Sequence, residues 1–176
     1  TDDMLVPLTQ EQLDTLSHEG RHAAQRTTAQ EISVKQAGYT VIRNHLAGQA
    51  APHWHDRRID LSGAHIDFRI GLQGATVSGS GRMQLAGATV GPGGWVDLEG
   101  ATIGGGGRVD LGVATIRGWV NLEGATISDG GLVDLSFTTM NGGRVNLEGA
   151  TIDDGGLVDL TFTTIGGRVN LEGATL

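Results

Sequence analysis

The chain repeats itself through about two thirds of its length, and this periodicity limits the fold more than any other property. The segment VDLEGATI from Val96 returns as VDLGVATI from Val109, VNLEGATI from Val120 and VDLSFTTM from Val133. It returns again as VNLEGATI from Val145, VDLTFTTI from Val158 and VNLEGATL from Val169. Looser copies begin at Ile59, Ile70 and Met83, which makes ten. Successive starts lie 11, 13, 13, 13, 11, 13, 12, 13 and 11 residues apart. From Val96 onward two kinds alternate: copies with Leu-Glu-Gly start at 96, 120, 145 and 169, and copies carrying Val113, Phe137 or Phe162 start at 109, 133 and 158. The true unit is therefore a pair of 24 to 26 residues, and five pairs run from Ile59 to Leu176.

Within a copy, apolar residues occupy positions one and three (Val96, Leu98) and then six and eight (Ala101, Ile103). Alternation, a break and alternation again predict two very short strands joined by a corner. A pair then turns four corners and returns above itself. The expected fold is mainly β, a β-solenoid of about five coils, roughly 24 Å long at the usual strand spacing. Glycine, 30 of 176 residues, is concentrated in this part, where Gly105-Gly106-Gly107, Gly130-Gly131, Gly142-Gly143, Gly155-Gly156 and Gly166-Gly167 stand between copies. Sharp corners with positive φ account for them. Only seven aromatic residues of the Phe, Trp and Tyr types are present, as a narrow interior filled by Val, Leu, Ile and Ala requires.

The frame VDLEG-ATIGG resembles the pentapeptide-repeat proteins, whose unit is a small residue, Asp or Asn, Leu and two variable residues. The likeness runs from Ile59 to Leu176, with a branched apolar residue at the unit centre (Leu98, Ile103, Leu111, Ile116) and Asp, Asn or Thr before it. It implies a right-handed quadrilateral β-helix. Val often replaces the small residue, and one to three extra residues follow each ten, so a distorted or enlarged cross-section is expected. The lead-in Val41–Leu46, Trp54 and Ile59–Ala64 also looks like actinobacterial members in which a helix precedes the repeat.

Two domains are expected, a helical N-terminal cap with its linker over 1–58 and the repeat domain over 59–176. Thr9 with Gln12 and Thr28 with Glu31 have capping-box spacing. They predict helices over about 10–27 and 29–47, the second carrying Ile32, Val34, Tyr39, Ile42 and Leu46 and stopping near Gly48. Such an α-helical region would cover the strand edges of the first coil. The chain stops at Leu176 in full repeat pattern, which points to truncation of a longer repeat or to self-association through an open C-terminal coil. Thr1 in the initiator's place suggests trimming.

Net charge is −8 with a single lysine, Lys35, so direct nucleic-acid binding is not expected. No cysteine is present for disulfides or thiolate metal sites. With no signal-like start and no apolar run of membrane-spanning length, a soluble, cytoplasmic protein is expected. His18-Glu19-Gly20-Arg21-His22 matches H-E-x-x-H, but Gly20 weakens the helix that a zinc protease would need, and a solvated helix face is the simpler reading. His53 and His55, two residues apart in an extended linker, could form half a metal site, but such alternation is ordinary there. The glycine runs lack the Lys-Ser or Lys-Thr ending of a phosphate loop. No catalytic cluster, cofactor or small-molecule substrate is expected.

The surface of the rod remains. Glu99, Glu123, Glu148 and Glu172 should stack as one outward column, with Asp97, Asn121, Asn146 and Asn170 beside it, and Asp110, Asp134 and Asp159 as a second. Solvent and nearby arginines such as Arg144 and Arg168 would relieve the repulsion. The sharper reading is an acidic stripe that receives a basic protein partner. Pentapeptide-repeat proteins that protect DNA gyrase are thought to mimic duplex DNA with an acidic rod, so the resemblance implies binding to a type II topoisomerase as an alternative. Trp95 and Trp119 share a column with Arg144 and Arg168, a composition suited to protein recognition and to a cation–π step from Trp119 to Arg144. Thr102, Thr126, Thr151 and Thr175 form a further ladder, but Gly104, Ser128 and Asp153 stand where a flat ice-binding face would need a second threonine.

Overall fold

In a computed structural model of the chain, the described residues are 37, 38, 40–42, 44–47 and 53–176. The expected helix over 10–27, most of the one over 29–47 and the His18–His22 motif lie outside them. The chain divides into two compact units, Thr1–Gly38 and Tyr39–Leu176. In the second, residues 40–42 and 44–46 are helical and Leu46 is buried in the same apolar cluster as the repeats, with Ile42 and Trp54 packed against it. The rings of His45 and Trp54 stack at 4.2 Å.

Each of the first four coils contributes strand to all four sides, and the fifth to three. The first coil holds β1 (Arg58–Asp60), β2 (His65–Ile66), β3 (Arg69–Gly71) and β4 (Thr76–Ser78). The second holds β5 (Arg82–Gln84), β6 (Thr89–Val90), β7 (Trp95–Asp97) and β8 (Thr102–Gly104). In the third are β9 (Arg108–Asp110), β10 (Thr115–Ile116), β11 (Trp119–Asn121) and β12 (Thr126–Ile127). The fourth has β13 (Leu132–Asp134), β14 (Thr139–Asn146), which runs through two sides, and β15 (Thr151–Ile152). The fifth has β16 (Leu157–Asp159), β17 (Thr164–Asn170) and a bridge from Thr175 to Thr151. All pairing is parallel between successive coils, in the order β1-β5-β9-β13-β16 on the first face and β4-β8-β12-β15 on the fourth. The second and third faces merge through β14 and β17.

The inward positions are those the alternation assigns. Val96, Leu98, Ala101 and Ile103 are buried, as are their counterparts Val120, Leu122, Ala125 and Ile127 one coil on. Full burial of each Val, Leu or Ile contributes about 1.5–3 kcal/mol, so the stacked interior supplies most of the driving force. Thr138 and Thr163 take the place of Ala114 at one inner corner, and their hydroxyls donate to Leu111 O (2.8 Å) and Leu135 O (2.7 Å).

Corner glycines divide into two kinds, where the sequence suggested one. Gly130 adopts φ 72° and supplies the left-handed turn. Gly131 does not; a methyl group there would overlap the carbonyl oxygen of Ile103 in the coil before. In the pairs at 130, 142 and 155 the first glycine bends the chain and the second lets neighbouring coils touch.

Candidate functional site

The third face carries the densest set of functional side chains. Outward positions at the start of β3, β7, β11, β14's second half and β17's second half bring Arg69, Trp95, Trp119, Arg144 and Arg168 into one column. The column is packed as a stack. Arg69 lies over the Trp95 ring at 4.7 Å, the two indoles are 5.1 Å apart at 45°, and Arg144 lies over Trp119 at 5.0 Å. The Trp119 to Arg144 step is the one the sequence suggested. Arg69, directly before the copy that begins at Ile70, extends the column by one coil.

Four residues on, the corner between the third and fourth faces carries Glu99, Glu123, Glu148 and Glu172, all exposed. Gly100 N–H donates to Glu123 O, Gly124 N–H to Glu148 O and Gly149 N–H to Glu172 O, so the glutamates stand in register coil upon coil. Between the two columns runs a ladder of amides. Asn121 Nδ2 donates to Asp97 Oδ1 (3.1 Å), Asn146 Nδ2 to Asn121 Oδ1 (3.1 Å) and Asn170 Nδ2 to Asn146 Oδ1 (3.0 Å). The amides also donate outward, Asn146 to Glu123 Oε2 (3.3 Å) and Asn170 to Glu148 Oε2 (3.2 Å), which holds the glutamates against the floor. Trp119, Arg144, Arg168, Glu123 and Glu148 wall a depression of about 270 Å³ above this ladder.

Two expectations about charge are corrected. Asp97 and Asn121 are not outward neighbours of the glutamates but buried, because the corner folds back over them. Asp97 takes donors from Arg69 Nε (3.0 Å) and Nη2, Gln73 Nε2 (2.6 Å) and Asn121, so it closes the N-terminal end of the ladder. The second acidic column is likewise occupied. Asp110, Asp134 and Asp159 accept the backbone N–H of the residue two ahead, from Gly112 (3.0 Å), Ser136 (2.8 Å) and Thr161 (2.8 Å). Asp134 is buried and ion-paired to Arg108, which also reaches Asp110 at 3.4 Å. Arg108 and Arg69 relieve the carboxylates, while Arg144 and Arg168 form no ion pair among the described residues. Beside the third face the outward acidic display is thus the glutamate column, next to a cationic and aromatic one.

Elsewhere, His53 and His55 stack at 5.4 Å and His65 Nε2 lies 2.8 Å from Asp67. Among the described residues no group of three or more His, Cys, Asp or Glu converges on a metal position. Among them, too, no helix is long and apolar enough to cross a membrane. Threonines do stack on the fourth face, Thr76, Thr102, Thr126, Thr151 and Thr175, as the sequence indicated for the last four.

Four parallel ladders around an aliphatic interior define the class: a mainly β protein, a β-solenoid of about five coils. No protein-family model and no curated protein matches the chain. Among solved structures it is similar to HetL, a pentapeptide repeat protein involved in heterocyst differentiation regulation from the cyanobacterium Nostoc, at 20% identity and a TM-score of 0.19. That match covers 69% of this chain and 62% of HetL.

Proposed function

We propose that the protein is a non-enzymatic scaffold that recognises another protein through its third face. The observation that carries this reading is the Arg69–Trp95–Trp119–Arg144–Arg168 stack beside the glutamate column. Trp and Arg dominate the energetically important centres of protein interfaces. Here the stack itself holds them in place, so little side-chain freedom is lost on binding. A partner with both basic and acidic groups fits best, because the two walls of the groove have opposite charge. The test is affinity capture on the wild-type chain and on Trp119→Ala/Arg144→Ala, with folding checked by circular dichroism. A partner retained by the first and lost by the folded second supports the reading; equal retention overturns it.

Binding to a type II topoisomerase as an acidic DNA mimic is the less favoured reading. It needs exposed like charge, and of the second acidic column Asp110 and Asp134 are ion-paired to Arg108. A gyrase supercoiling assay at micromolar protein is expected to show no effect.

A further inference from the structure

The first face contains a break in an otherwise continuous row of carboxylates. Its third strand position is Asp60, Asp110, Asp134 and Asp159 in coils one, three, four and five, and each accepts the N–H two residues ahead. In the second coil the same position is Gln84, in register between Asp60 and Asp110. The Gln84 Oε1 is buried and has no hydrogen-bond partner.

Three arginines stack beside the break, Arg58 on Arg82 on Arg108. Guanidinium groups on adjacent strands, about 4.8 Å apart, repel unless anions lie between them. The outer two have carboxylates: Arg58 Nη2 is 3.0 Å from Asp60, and Arg108 reaches Asp134 and Asp110. The middle one has none. Arg82 donates through Nη1 to the carbonyls of Gly81 (2.8 Å), Gly106 (2.9 Å) and Gly79 (3.4 Å), which leaves Nε and Nη2 without a partner among the described residues. Arg108 Nε is also buried without a partner. Arg58, Arg82, Gln84, Arg108 and Asp110 line a depression of about 340 Å³. That is room for a phosphoryl group and several waters, each of which takes about 30 Å³ in the liquid.

We propose that this depression is a binding site for a phosphate-class oxyanion, which takes the place of the carboxylate missing from the second coil. The free edge of Arg82 presents two donors to one oxyanion, the geometry in which guanidinium recognises phosphate. Arg108 Nε–H supplies a further donor. Gln84 presents its amide N–H groups when rotated half a turn about its last torsion. Asp110 at the rim does not block the site, since its oxygens are directed to Gly112 N–H and Arg108.

The experiment titrates inorganic phosphate against chloride at fixed ionic strength and follows thermal unfolding. A saturable rise in midpoint of about 3 °C is expected, the size produced by a ligand near ten times its dissociation constant in a chain of this length. Arg82→Gln should lose the rise. Gln84→Asp, which installs the residue the other coils carry, should lose it as well and start from a higher midpoint without phosphate. O-phosphoserine run in parallel separates the sources: equal shifts mean the free ion, and a larger shift with the monoester means an attached phosphoryl group. No phosphate-dependent shift, or a shift kept in folded Gln84→Asp, overturns the proposal.

Discussion

Val113 sits at a backbone position that favours glycine. The corner between the first and second faces takes a left-handed residue in every coil: Gly63 (φ 68°), Gly87 (67°), Val113 (59°), Phe137 (55°) and Phe162 (56°). A β-branched residue there carries about 1–2 kcal/mol of steric cost, and Val113 is 68% exposed, so it recovers little by burial. Glycine would cost more entropy on folding, about 0.5–1 kcal/mol. Val113→Gly is therefore expected to stabilise the chain by about 0.5–1 kcal/mol, read as a higher midpoint in urea. Phe137 and Phe162 differ, because their rings stack at 5.0 Å and regain part of the cost. A second prediction concerns Asp159. Its carboxyl is held below the ordinary range first by the Thr161 hydroxyl, then by the Thr161 N–H, with Arg108 adding its field. Asp60 is lowered in the same way by Ser62. A carboxyl lowered on folding stabilises the native state above its unfolded pKa and loses that contribution as pH falls through the folded value. Stability should therefore decline below about pH 4, the unfolded Asp value, and the decline should be shallower in Asp159→Asn/Asp60→Asn.

The ladder from Asp97 to Asn170 behaves as one element. Every amide donates toward the N-terminal coil, and Asp97 accepts at the first position. Its buried charge is matched by Arg69. Arg69→Ala leaves that carboxylate short of its cation and should cost about 2–3 kcal/mol, less than for a fully buried pair because Arg69 is half exposed. In an Asp97→Asn background the same change should cost under about 1 kcal/mol, and a double-mutant cycle in urea reads the difference. Strands, coil length and interior were legible in the sequence because inward residues repeat with period two and coils with period 24 to 26. The aromatic and arginine column was legible for the same reason. The roles of Asp97, Asn121 and Asp134 were not, because alternation labels the third strand position outward while the following corner closes over it. An Asp or Asn two residues before a turn residue is an Asx-turn signature, and that signal was present at every one of these corners. The oxyanion site was hidden differently: Gln84 falls in a loose copy, where a departure from the repeat looks like drift and not like a gap in a ladder.

At the scale of the whole molecule, the two ends of the stack differ. At the first coil Ile66, Ile70 and Leu72 are buried and Leu46 joins their cluster. At the fifth, the equivalents Ile165 and Leu171 are 51% and 45% exposed in this chain, and the strands β16 and β17 each pair on one side only. An apolar surface bounded by unpaired N–H and C=O groups is a template for another chain. A polypeptide made as residues 1–176 alone can bring two such surfaces together about a two-fold axis, burying both at once and closing the assembly so that it does not grow into a fibre. The expected outcome is a light-scattering mass that rises with concentration from 18.3 kDa toward twice that value. Ile165→Lys/Leu171→Lys should return it to the monomer without altering the first four coils, because the substituted side chains lie beyond the buried part of the interior. A mass that stays monomeric at millimolar concentration would show that the fifth coil is stable while open.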